Sequence, residues 1–186
     1  MRHTITAILL TVCALASGCA SYVAPNYSAD YSALDPLKRA GLAKTAVGKV
    51  QPVDANAKVN KITLRGATLK VSEGTFTSYI ERAVIADLNE AGLYDSNSPK
   101  HIDILLLRND IDVSGMNTGL GEIEIDLSLA ESGKILLRKT YSAKTTFESS
   151  FAGATAVNKG QTEYPNLVRE LLATVYRDPA FVQAMR

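Results

Sequence analysis

Between residues 122 and 129 the chain alternates without a break. Ile123, Ile125, Leu127 and Leu129 fall on one side, and Glu122, Glu124, Asp126 and Ser128 on the other. A strand repeats every two residues, so this pattern demands a sheet with one face in a core and the other in water. The apolar face then needs a second layer to cover it. Upstream, Ile102, Ile104 and Leu106 alternate with Asp103, Leu105 and Leu107, a strand with apolar residues on both faces and therefore central. Downstream, Ser132-Gly133 signals a hairpin, and Ile135, Leu137 and Tyr141 follow in a return strand toward Phe147. Three successive antiparallel strands, a meander, is the simplest arrangement.

The covering layer is read from the helical period. Thr75 is placed as an N-cap before Phe76, Tyr79, Ile80, Ala83, Val84, Leu88 and Ala91, and Gly92 supplies the stop. Its other side, with Glu81, Arg82, Asp87, Asn89 and Glu90, mixes signs as a solvated face does, and lacks the basic character of a membrane-surface helix. A second helix is expected to start near Pro165, with Leu167, Val168, Leu171, Leu172, Val175 and Tyr176 on one face. Asp178-Pro179 breaks it, and residues 180–185 add a short helical turn carrying Phe181, Val182 and Met185. Residues 45–50 read as a short strand, and 61–71 as strand, kink at Gly66, and strand. The expectation is an α+β two-layer domain, an antiparallel sheet of about four or five strands with two helices packed on one face.

The start of the chain concerns address. Arg2 precedes an apolar run over residues 5–15, interrupted by Thr6 and Thr11, and small residues then lead to a cysteine. This is the pattern of a secretory signal, too short to span a bilayer. Leu15-Ala16-Ser17-Gly18-Cys19 resembles the bacterial lipobox, with Ala16 where Leu is commonest. The resemblance implies cleavage before Cys19 and acylation of its thiol and new amine. Each buried CH2 contributes about 0.8 kcal/mol, so two or three long chains make an effectively permanent anchor. Ala20, where an Asp commonly marks retention in the inner membrane, implies the outer membrane with the domain facing the periplasm. The expected organisation is a signal peptide over 1–18, a tether over 19–44 and one periplasmic domain over 45–186. The tether reading rests on Pro25, Pro36 and Ser, Ala, Asn and Asp without an apolar period, although Tyr22, Tyr27 and Tyr31 suggest partial contact with the domain.

Composition narrows the function classes. Lys+Arg total 20 and Asp+Glu 19, and cleavage removes only Arg2, so the mature chain is formally neutral. That gives no electrostatic footprint for nucleic acid. Cys13 leaves with the signal and Cys19 carries lipid, so no thiol remains for a disulfide, a metal or a nucleophile. His101 is the one histidine beyond the signal, which leaves no Cys-His pair and no His cluster for zinc within one chain. Ser149-Ser150 lacks the Gly-x-Ser-x-Gly elbow. The remaining chemistry lies in carboxylates: Asp110 with Asp112, or Glu122 with Glu124 and Asp126, could bind a cation or act on a sugar bond, but acids alternating on a strand ordinarily form a solvated face. Gly115-Met116-Asn117-Thr118-Gly119-Leu120-Gly121 is followed by a strand, not by a helix N-terminus, and reads as a hairpin loop rather than a phosphate cradle. Residues 147–160, with Phe147 and Phe151 among small residues, read as a long loop packed back on the core.

Several stretches together carry a wider resemblance: the lipobox, Leu88-Asn89-Glu90-Ala91-Gly92-Leu93-Tyr94, the run 104–115 with Asn109-Asp110, and Tyr164-Pro165-Asn166-Leu167-Val168. They are similar in organisation to small proteobacterial outer-membrane lipoproteins of the YajG type. The resemblance implies an anchored envelope protein, carries over no catalytic residue and assigns no cofactor. Some proteins of this appearance bear a UDP-N-acetylglucosamine acyltransferase label, but the hexapeptide repeats of that left-handed β-helix are missing. The expected function is a non-enzymatic binding or assembly accessory of the cell envelope, with the membrane and an envelope protein as partners. Two alternatives remain open: an accessory lipoprotein of lipid or lipopolysaccharide transport, which requires an apolar groove, and a carboxylate-dependent envelope enzyme, which requires its acids to line a cleft.

Overall fold

The computed structural model describes residues 21–55 and 58–186. Within them the chain is α+β, with a four-stranded sheet, a three-stranded sheet and four helices. The meander forms as the alternation requires. Strands β5 (Lys100–Asp112), β6 (Thr118–Glu131) and β7 (Lys134–Glu148) pair antiparallel, with Ile125 opposite Leu106 and Tyr141. Ile123, Ile125, Leu127 and Leu129 are buried, and their intervening neighbours are half-exposed.

The sheet is not purely antiparallel. Strand β2 (Ala46–Pro52) adds beside β5 in parallel, giving the order β2-β5-β6-β7. Parallel pairing needs a long crossover connection, and here it contains a helix. That helix is α2 (Phe76–Glu90), capped as expected by Thr75, whose side chain accepts from the Ser78 N–H at 3.1 Å, and followed by Gly92 at φ +72°.

A second sheet precedes α2. Strands β3 (Ile62–Leu64) and β4 (Ala67–Lys70) form a hairpin through Arg65 and Gly66, both at positive φ, as suits a tight two-residue turn. Strand β1 (Ser21–Val23) lies parallel to β4, with Ser21 opposite Thr68.

The tether expected over residues 19–44 is corrected for its described part. After β1, helix α1 (Tyr31–Arg39) starts at Asp30, whose carboxylate accepts from the Ser32 N–H at 2.9 Å. It buries Ala33, and its Leu34 and Leu37 join the same core as α2. Three buried residues in nine are too few to establish a helical period in sequence, yet enough to dock one turn after another once a core exists.

Helix α3 (Gly153–Tyr176) corrects a second expectation, because it begins a dozen residues before Pro165. Pro165 sits inside it, where it cannot bond the Gln161 carbonyl and its ring crowds that oxygen. Half of the supposed loop 147–160 is therefore helix, and its small residues are there for fit. Gly160 lies against Val113 and Ile111 so closely that a Cβ would come within 2.7 Å of the Val113 Cγ1. Helix α4 (Pro179–Ala184), capped by Asp178, closes the core with Phe181 and, just beyond it, Met185. The centre of the molecule is aromatic: the Tyr164 ring lies 4.8 Å from Phe76 and 5.2 Å from Tyr79, both edge-on.

Candidate functional site

Cys19, the lipidation candidate, lies outside the described residues. The segment that follows it is fastened at every step. The Ala24 N–H donates to the Lys70 carbonyl at 2.8 Å, the Tyr79 hydroxyl donates to the Pro25 carbonyl at 2.9 Å, and Tyr27 donates to Asp87 at 2.8 Å. Asp87, expected among the polar residues on the outer side of α2, is instead 2% exposed. Tyr176 donates to the same Oδ2 at 3.0 Å, while Oδ1 has no protein partner. Burial raises the Asp87 pKa to about 6 even though both tyrosine hydroxyls favour the carboxylate. Burial, with Asp87 beside them, pushes both tyrosines well above the ordinary phenol range. The cluster joins the N-terminal segment, α2 and α3 at one buried point.

The carboxylates singled out in sequence sit on the outer face of the large sheet. Asp110 and Asp112 are both exposed, and Asp112 accepts from the Ser114 N–H at 2.7 Å, which holds its pKa below the usual range. Glu122 is bridged by Lys144 at 2.6 Å and by Arg108, and hydrogen bonding from Lys144 leads the lowering of its pKa. Asp126 takes two bonds from Arg138, at 2.8 and 3.0 Å, while Glu124 stands opposite Arg108 and Ser142. Glu122 and Asp126 thus take part in cross-strand ion pairs on an open face. Among the described residues, no group of three or more His, Asp or Glu could hold a metal ion.

His101 lies 3.4 Å from Asp103, whose other oxygen accepts the Lys49 N–H at 2.6 Å and caps the irregularity in β2. Ser149, joined to the Asn117 carbonyl at 2.9 Å, sits at the opposite end of the sheet. A dozen strand residues separate the two ends, about 40 Å, so the structure does not bring His101 and the serines together.

The glycine-rich stretch spans the end of the β5–β6 connection and the first residues of β6, and its glycines serve packing. The Phe147 ring lies where a Gly119 side chain would be. Sequence gave no sign of the residue that organises this end, Arg65. Its guanidinium donates to the carbonyls of Val113 and Phe151 at 2.8 Å and of Gly115 at 3.1 Å. One side chain thus holds together the β3–β4 turn, the β5–β6 loop and the approach to α3.

A further feature depends on a bulge in β5. The register shifts between Leu106 and Arg108, so Leu107 and Arg108 both face outward and Asn109 turns into the core. Asn109 donates to the Val59 carbonyl at 2.9 Å, and its Oδ1 has no protein partner. Beside it lies an open groove of about 380 Å3 with Val53, Val59 and Leu107 in its lining and Lys58, Lys61, Arg108 and Asp110 around them. A larger depression of about 920 Å3, along α2, is bordered mainly by polar groups such as Asn26, Ser72, Glu73, Arg82 and Asn89.

No helix among the described residues is long and apolar enough to cross a membrane. No protein-family model matches the sequence, and no curated protein matches it. Similarity appears among solved structures. Protein XCC0632 of Xanthomonas campestris, described under DUF330, aligns over 84% of this chain and 95% of its own at 16% identity, with a TM-score of 0.57. Weaker similarities include a minor lipoprotein of Acinetobacter baumannii, over 72% of this chain and 92% of its own at 11% identity and TM-score 0.42. Another is hypothetical protein CT253 of Chlamydia trachomatis, over 77% and 99% at 12% identity and TM-score 0.47. The chain therefore shares its α+β fold with the Xanthomonas protein.

Proposed function

We propose that this chain is a lipoprotein of the bacterial envelope, held through Cys19 in the outer membrane and facing the periplasm, where it acts as a non-enzymatic binding or assembly accessory. The observation that carries the reading is the continuity of anchor and fold: Ser21, two residues after Cys19, is already the first residue of β1. A lipid on Cys19 would hold the domain itself. The lipoprotein name of the Acinetobacter structure agrees with this reading. Of the acids that an envelope glycan or lipid enzyme would use, Glu122 and Asp126 are engaged in ion pairs on an open sheet face and Asp112 holds the Ser114 N–H, which favours an accessory over a catalyst.

Metabolic labelling with palmitate, with and without globomycin, tests the anchor. Label on the wild type, lost in Cys19→Ala together with membrane fractionation, is the expected result. A Cys19→Ala chain that still fractionates with membranes contradicts it.

The groove beside Asn109 favours a second reading, an accessory lipoprotein of lipid or lipopolysaccharide transport. Its aliphatic floor and its three cations, which outnumber the one acid in the lining, Asp110, match an acyl chain carrying an anionic group. Photocrosslinking from Leu107 in intact cells, followed by mass spectrometry, separates the two: an acyl-lipid adduct supports transport, and a protein adduct supports assembly.

A further inference from the structure

We infer that the end of the domain formed by the β3–β4 turn, the β5–β6 loop and the approach to α3 is a membrane-contact surface, with Phe151, Met116 and Leu120 seated in the lipid interface. The inference rests on the anchoring of Cys19 and adds an orientation to it.

Two independent observations converge on this end. The first is where the chain enters. Strand β1 runs parallel to β4 and away from the Arg65–Gly66 turn, with Ser21 opposite Thr68, so the polypeptide reaches β1 from the side of that turn. Two residues span at most about 7 Å, so an acylated Cys19 cannot lie far from Ser21, and the bilayer surface must come to this end of the molecule.

The second observation is what that end exposes. Arg65 gathers the carbonyls of Val113, Gly115 and Phe151 on one guanidinium, and the Ser149 N–H bonds the Asn117 carbonyl, so the three loops form one tip. On this tip Phe151 is 78% exposed, Met116 65% and Leu120 49%. Single exposed apolar side chains are ordinary on protein surfaces, whereas an exposed Phe and Met on adjacent tied loops form a patch that wants a partner. An aromatic ring and an unbranched thioether suit the headgroup boundary, where burial of a few apolar side chains adds to the hold of an acyl anchor. The tip carries no cluster of cations, and Lys159 is bonded to Glu148 at 3.0 Å, so the patch is matched to a zwitterionic surface more than to an anionic one. The opposite end of the β6–β7 ribbon, with Ser132, Gly133 and the exposed Ile135, then points away from the bilayer.

The chain contains no tryptophan, so one introduced indole reports alone. Full-length lipidated protein carrying Phe151→Trp, or Ile135→Trp as the far-end control, is reconstituted into vesicles of phosphatidylethanolamine with a minor share of phosphatidylglycerol, and palmitate on Cys19 is verified by mass spectrometry. The expected result is blue-shifted emission from Phe151→Trp, quenched by lipids brominated near the headgroup and shielded from aqueous iodide, while Ile135→Trp behaves oppositely. With palmitate present, equal iodide access at the two positions overturns the inference and leaves the anchoring intact. Shielding of Phe151→Trp without quenching by brominated lipid also overturns it, because the patch then faces protein. Absence of palmitate on Cys19 overturns both.

Discussion

Tyr27 donates its hydroxyl to Asp87 at 2.8 Å across 60 residues of sequence, and so fastens the N-terminal segment to the middle of α2. That bond, with Tyr79 to Pro25 and the docking of α1, turns the stretch after Cys19 into structure. The proposed anchor on Cys19 would then govern the attitude of the domain as well as its address.

Stability should depend on pH through Asp87. Its folded pKa, about 6, lies above the ordinary carboxylate value near 4, so the folded state binds the extra proton between them. The stabilising contribution is complete below about pH 4 and is lost as pH rises through about 6. Relative to Asp87→Asn, the wild type should lose about 2 kcal/mol between pH 4 and pH 7. Urea unfolding of both chains across that range measures the difference, and parallel curves would contradict the assignment.

Tyr27→Phe removes one of the two hydroxyls that favour ionised Asp87. It should destabilise by about 1–2 kcal/mol at neutral pH and move the Asp87 transition to higher pH. Carboxyl-resolved NMR titration reads the shift directly.

Leu34 and Leu37 are each 1% exposed. Replacing either with Ala should cost about 2–4 kcal/mol, the range for a core leucine, where the same change in a tether would cost nothing. Thermal melts of the two variants check this.

Arg65→Ala should loosen the tip without unfolding the domain, since the lost bonds are partly solvated and contribute about 1 kcal/mol in total. Hydrogen exchange in residues 113–117 and 149–152 should quicken, while β6 stays protected.

What could be read from sequence was whatever repeats long enough to declare its period. The Ile123-to-Leu129 alternation fixes the inward face of β6, and Thr75 with Gly92 bounds α2 within a residue or two. Features made by one residue or one contact were silent. Asn109 turns inward only because a bulge shifts the phase of β5, and Asp87 is polar in sequence but buried because two tyrosines from distant segments meet it. Residues 153–160 look like a loop because Gly and Ala carry no apolar signal, although small side chains are what lets α3 approach Ile111 and Val113. The same holds for α1, whose helix depends on a core supplied by the rest of the chain. Arg65 offers no pattern at all, since its partners are backbone carbonyls from loops far apart in sequence.

Hydrogen–deuterium exchange of residues 21–40 in the full chain tests the fusion of N-terminal segment and fold most directly. The Ala24 amide and the amides of the last turns of α1 are bonded, in the latter case within a helix whose inner face is core. Exchange there as slow as in α2 is the predicted result. Exchange at the rate of an unstructured chain would mean that the domain hangs on a free tether, and would contradict the account.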